Sequence, residues 1–115
     1  MPNPVVHFEV VGKDLEKLQA FYGDLFGWKT QEMPGMNYAM VEKEGEGIAG
    51  GIGQSQDGSS HVTFYVQTDD PQGALDRAEA LGGRTVMPVT EIPGAVTIAL
   101  LADPEGHVVG LVKGM

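Results

Sequence analysis

Cysteine is absent from the 115 residues, which excludes disulfides, thiolate zinc sites, iron–sulfur clusters and a cysteine nucleophile. Basic residues are scarce: seven Lys and Arg stand against sixteen Asp and Glu, a formal charge of −9. Affinity for a phosphate backbone comes mainly from basic side chains, so nucleic acid is not an expected partner. Long apolar runs are missing as well. The longest, Ala95 to Ala102, is too short to cross a bilayer, and no membrane partner is expected. Met1-Pro2-Asn3-Pro4 has neither a basic nor an apolar region, so no signal peptide is expected and the expected location is cytoplasmic. Histidines number only three, which confines imidazole chemistry to His7, His61 and His107. What is present suits one domain over residues 1–115, because a chain of this length buries roughly 65–70% of its unfolded surface and needs no staples.

Seventeen glycines and seven prolines cut the chain into short segments. Val5–Val11 is rich in β-branched residues and reads as a buried strand. Asp14 is placed to cap a helix whose apolar positions are Leu15, Leu18, Tyr22 and Leu25, and Gly27 ends it. Strands are expected around Trp28–Gln31, Tyr38–Glu42 and Ile48–Gln54. The order then repeats. His61–Gln67 reads as a strand, and Asp69-Asp70-Pro71 starts a helix with Ala74, Leu75, Ala78 and Leu81 as its stripe. Strands around Arg84–Val89, Ala95–Ala102 and Val108–Lys113 follow, with turns at Pro93-Gly94 and Asp103-Pro104-Glu105-Gly106.

The expected fold class is therefore α+β, two βαββ(β) modules from an internal duplication, covering approximately residues 4–54 and 59–114. Aligning the halves by residue identity pairs His7 with His61 at an offset of 54 and Ile48–Ile52 with Val108–Val112 at an offset of 60. Each paired histidine has a polar residue two positions on, Glu9 and Thr63, and side chains at i and i+2 of a strand share a face. His7, Glu9 and His61 are thus the candidate catalytic groups. His107 follows a Pro-Glu-Gly turn and is expected to stabilise it. Most acids fall at helix starts, on helix faces or in the 42–47 loop, leaving a surplus that could attract cationic ligands; Glu9 is the exception.

The runs His7-Phe8-Glu9-Val10 and Phe21-Tyr22-Gly23-Asp24-Leu25-Phe26-Gly27-Trp28, with Asp103-Pro104-Glu105-Gly106-His107 before a last apolar strand, resemble the vicinal oxygen chelate superfamily of glyoxalases, bleomycin-resistance proteins and extradiol dioxygenases. The resemblance covers essentially the whole chain. It implies curled mixed sheets forming a cup around a small molecule, and a homodimer. It also implies where a divalent metal is held in metal-dependent members: first-strand ligands fall on His7 and His61, last-strand carboxylates on Gly50 and Gly110, with Gly51 as the neighbouring position for the former. Glycine supplies no donor there, so His7 and His61 are left as the only metal candidates and no cofactor is expected to be required.

Two readings follow. In one, the chain is a metal-free binding protein whose pocket comprises His7, Glu9, Tyr38, Gly50, His61, Thr63, Tyr65 and Gly110, the glycines lowering the floor and Met33, Met36, Met40 and Met87 supplying adaptable walls. In the other, it is an isomerase, lyase or dioxygenase-like enzyme using His7 or His61 as acid–base groups beside Glu9, or in a weak metal site. Both take a small molecule. The residues alone leave the choice open.

Overall fold

The computed structural model describes residues 2–114, in the order β1 (Val5–Gly12), α1 (Leu15–Phe26), β2 (Thr30–Met33), β3 (Tyr38–Val41), β4 (Ala49–Gln54), β5 (His61–Gln67), α2 (Pro71–Ala80), β6 (Arg84–Glu91), β7 (Thr97–Ala102) and β8 (Val108–Lys113). The fold class is α+β, as the sequence implies. Contacts divide the chain into two compact units, one of residues 7–62 and one of residues from 63 onward together with the opening of β1.

In the first unit the strands lie in the order β2-β3-β4-β1, with β1 parallel to β4 and the other neighbours antiparallel. The parallel pair is made possible by the long crossover through α1, β2 and β3. Asp14 caps α1 by accepting the Lys17 N–H, and Gly27 ends it at φ 74°, a left-handed conformation that glycine adopts without a Cβ clash. Register divides the sheet cleanly. Phe8, Val10, Ala39, Val41, Gly50 and Ile52 face α1, while His7, Glu9, Val11, Tyr38, Met40, Gly51 and Gly53 face the other way. On the helix side Ile52 is fully buried among Leu15, Ala39 and Val41, and Phe8, Leu18, Tyr22 and Trp28 close over them. Burial of a side chain the size of Ile52 contributes about 2–3 kcal/mol. Trp28 stacks on Tyr22 with ring centroids 5.1 Å apart, which fixes the exit of the helix against the sheet.

The second unit repeats the plan. Its strands run β5-β8-β7-β6, with β5 parallel to β8, and α2 buries Leu75 against Ala99 and Leu111. Asp70 caps α2 through the Gly73 N–H, with Pro71 in the first turn as expected. β2 lies later than expected, at Thr30–Met33 rather than Trp28–Gln31, because the Trp28 ring turns inward and pairing begins only where Lys29 O accepts the Glu42 N–H. β6 runs on to Glu91, with register shifts against β7 along the way.

The caps also correct the alignment of the two halves. Asp14 and Asp70 are equivalent, an offset of 56, and both following residues, Leu15 and Pro71, are buried. At that offset the repeat mate of His7 is Thr63. The two are the buried polar residues of the described chain, at 7% and 6% exposure. His61 stands two residues earlier, exposed at the start of its strand. The paired histidines of the sequence alignment are thus matched by residue type and not by position.

Candidate functional site

On the face of the first sheet away from α1, three side chains are joined. His7 Nε2 lies 2.9 Å from the Tyr38 hydroxyl, and that hydroxyl donates to Glu9 Oε2 at 3.0 Å. A phenol has one proton, so a Tyr38 that donates to Glu9 must accept from His7; the imidazole is therefore held in the Nε2–H form. Burial lowers the His7 pKa below its ordinary 6.5, against the opposing pull of Glu9, so the ring is neutral at physiological pH. His61 completes the group, its Nε2 3.9 Å from Glu9 Oε1. That distance is too long for a hydrogen bond and suits an electrostatic or water-bridged contact.

Accessibility sorts these residues. His7 is 7% exposed, whereas the His61 side chain is 45% exposed and that of Glu9 16%. Of the group, His61 is the most open and His7 the most buried, while Glu9 and Tyr38 are both partly buried.

The glycines play a different part from the expected floor. A Cβ on Gly51 would coincide with the Tyr38 hydroxyl and ring edge, so Tyr38 occupies the volume that a side chain at 51 would take. Gly50 lies on the opposite face, covered by the Phe8 ring. In the second unit the Tyr65 ring lies over Gly110, and the two are register partners. Thr63 spends its hydroxyl proton on Val108 O at 2.7 Å, tying β5 to β8. Thr63, Tyr65 and Gly110 therefore form a packed patch of that unit, while His7, Glu9, Tyr38 and His61 form the polar array. Met33 and Met36 sit exposed at the turn between β2 and β3. His107 stabilises its turn as expected: Asp103 Oδ1 accepts the His107 N–H at 2.9 Å, and Asp103 Oδ2 lies 3.0 Å from Nδ1. The His107 backbone N–H foremost, with the imidazole beside it, holds the Asp103 carboxyl below its usual range.

Residues 5–43 match the family model described as bleomycin resistance protein-like N-terminal. A glyoxylase-named protein of Mycobacterium bovis, CFP32, is 30% identical over 107 residues, covering 85% of this chain and 41% of that protein. The chain spans less than half the length of the curated relatives it matches. Among solved structures, a glyoxalase/bleomycin resistance protein/dioxygenase superfamily member from Vibrio splendidus 12B01 superposes with TM-score 0.68 at 16% identity, covering 98% of this chain and 100% of that one. This is a vicinal oxygen chelate fold. Methylmalonyl-CoA epimerase from Mycobacterium tuberculosis shares it, with TM-score 0.68 at 14% identity over 96% of this chain and 87% of that one.

The resemblance implies a last-strand carboxylate in metal-dependent members, and at 50 and 51 this chain has glycine, leaving Glu9 as the carboxylate beside His7 and His61. Strand parity puts Gly51, not Gly50, on the face of His7 and Glu9, and Tyr38 fills the volume at 51. A neutral phenol that is already hydrogen-bonded to both His7 and Glu9 is a poor substitute for an anionic oxygen donor. Among the described residues no group of three or more His, Asp or Glu side chains is placed to hold a metal ion. The donor set does not fit the metal that the superfamily resemblance implies, and no chemical step is derived through one.

Sequence reasoning named Tyr38 only as one of the pocket residues. Its role as the link between His7 and Glu9 depends on the β3–β4 register, Met40 opposite Gly51 and Tyr38 opposite Gly53, which brings the ring diagonally across Gly51.

Proposed function

We propose that this chain binds a small molecule on the His7–Glu9–Tyr38–His61 face, in the manner of a bleomycin-resistance-like binder and without an obligatory metal. The observation that carries this reading is the Tyr38 hydroxyl, which takes the volume of the missing carboxylate and ties His7 to Glu9. Glu9 and His61 are the recognising groups, offering one acceptor and one imidazole. Tyr38 and His7 are positioning residues. The chain works as a homodimer in this proposal, in keeping with relatives more than twice its length. A cytoplasmic location accords with a cysteine-free, acidic composition.

The test is elemental analysis of protein purified without chelator, followed by a thermal-shift screen of small molecules on wild type and Glu9→Gln. The expected result is far less than one equivalent of any divalent metal, with stabilisation by a ligand that is lost in the variant. One equivalent of metal retained through gel filtration overturns the metal-free reading.

A second reading rests on the partly exposed Glu9 beside His61, which has the composition of an acid–base pair for a substrate with an acidic C–H. It is separated from pure binding by incubating the ligand with protein in deuterium oxide and following its mass. Incorporation of deuterium marks turnover.

A further inference from the structure

Acids outnumber bases by more than two to one in this chain, yet one cleft of the first unit runs against that balance. It has a volume of about 470 Å³ and is lined by Lys13, Lys17 and His61, with Val10, Leu18 and Val62 as an apolar wall. That volume lies within the range of small-molecule sites. The described ion pairs join Lys29 to Glu44, His61 to Glu9 and His107 to Asp103; Lys13 and Lys17 are in none of them. The one acid among the lining residues, Asp14, accepts the Lys17 N–H at 3.1 Å and keeps its charge, so two ammonium groups stand against one carboxylate. At the start of α1, Leu15 N–H is bound by Gln54 Oε1 and Leu18 N–H by Asp14 O, each at 3.1 Å. The positive character of the cleft comes chiefly from the two ammonium groups.

Its walls are fixed. Gln54 pins α1 to β4, the Ser55 N–H bonds Gly12 O at 2.9 Å, and the missing side chain of Gly12 lets Leu18 close in, since a Cβ there would meet Leu18 Cδ1 at 2.9 Å. The comparable cleft of the second unit, about 490 Å³, carries Asp69, Asp70 and Glu91 against a single Lys113 and has the opposite sign.

We infer that the Lys13–Lys17 cleft is an anion-binding site, taking the carboxylate or phosphate of a molecule whose remainder is apolar. The ammonium groups hold the anion, and Val10, Leu18 and Val62 hold the apolar body. Val10 and Leu18 place this cleft on the α1 side of the strands, opposite the face of Glu9, and His61 alone borders both, so the anion site goes beyond the reading above and does not depend on it. The ligand is then anionic, and not the cation that the net charge invites.

The experiment is an NMR titration of the full chain with octanoate, octyl phosphate and octyltrimethylammonium, each at low and high salt. The methyl groups of Val10, Leu18 and Val62 are expected to shift saturably with one or both anions, and the tighter of the two identifies the headgroup. Lys13→Gln with Lys17→Gln is expected to raise Kd by about tenfold or more, as loss of charge-assisted contacts implies, and added salt to weaken wild type but hardly the variant. Equal binding of octyltrimethylammonium at the same methyls, or unchanged octanoate affinity in the double variant, overturns the inference. Shifts at the cleft methyls with none at Tyr38 or Glu9 support the anion cleft as a site separate from the Glu9 face. Shifts at Tyr38 and Glu9 with silent cleft methyls overturn the inference and leave the proposed Glu9-face site standing.

Discussion

Replacing Gly51 with alanine is the most discriminating perturbation of the site, because it adds one carbon where Tyr38 already stands. The Cβ of residue 51 would coincide with the Tyr38 hydroxyl and ring edge, so the phenol must leave. Two hydrogen bonds go with it: the one from His7, worth about 1 kcal/mol, and the charge-assisted one to Glu9, worth about 1.5–3 kcal/mol. Displacing a packed ring adds strain of about 1–3 kcal/mol. Tyr38 is only half-buried and can swing partly into solvent, so the expected net loss is about 2–5 kcal/mol, measured by urea unfolding at pH 7.5.

A double-mutant cycle isolates the cause. Tyr38→Ala removes the same two hydrogen bonds but leaves room at 51. In that background Gly51→Ala is expected to cost less than about 1 kcal/mol, and it can even stabilise, since alanine is better than glycine inside a strand. Tyr38→Phe brings no such relief, because the ring edge still collides. The expected coupling between positions 38 and 51 is about 2 kcal/mol or more. If Gly51→Ala falls within about 0.5 kcal/mol of wild type, or costs the same with and without Tyr38, the assignment of that volume to Tyr38 is refuted.

Three further outcomes are expected. Burial lowers the His7 pKa, so between that value and 6.5 the unfolded chain binds the proton first; stability is full above pH 6.5 and falls as the pH drops, and a His7→Gln variant that unfolds with the same pH slope refutes this. Asp14→Ala removes the Lys17 N–H cap and is expected to cost about 1 kcal/mol in urea unfolding, with Asp14→Asn close to wild type. Leu75→Ala empties the buried centre of the second unit, where Leu75 is 1% exposed, and is expected to cost about 2–5 kcal/mol; a loss below about 1 kcal/mol contradicts the packing described for α2.

The order of elements was legible because punctuation and caps are local chemistry. Asp14 and Gly27 bracket α1, and Asp70-Pro71 open α2, each for reasons contained within a few residues. His7 and Glu9 were legible as partners because strand parity is also local. The link through Tyr38 was not, because it depends on the register of β3 against β4. In Ala49–Gln54 the run Gly50-Gly51-Ile52-Gly53 has three positions with no side chain, so the alternation that reveals which face is buried is almost erased. The repeat failed in a related way. Matching histidine to histidine followed residue type, whereas the equivalence of the halves lies in the helix caps, which pair His7 with Thr63.

That correction changes what the missing carboxylate means. With Gly50 as the lost ligand, the vacancy is a smooth floor and one substitution restores a donor. With Gly51, the position is linked to Tyr38: a carboxylate at 51 requires the phenol to move, and moving the phenol releases the Nε2–H of His7 and the Oε2 of Glu9 from their shared partner. Neither Gly51→Glu nor Tyr38→Ala alone puts a carboxylate at 51 beside a released His7, because the first has no room and the second leaves Glu9 as the carboxylate of the group. Glycine at 51 and tyrosine at 38 are therefore one feature, in which a hydrogen-bonded phenol fills the volume that a side chain at 51 would take, and under the proposed function Glu9 and His61 are left as the groups that recognise the ligand.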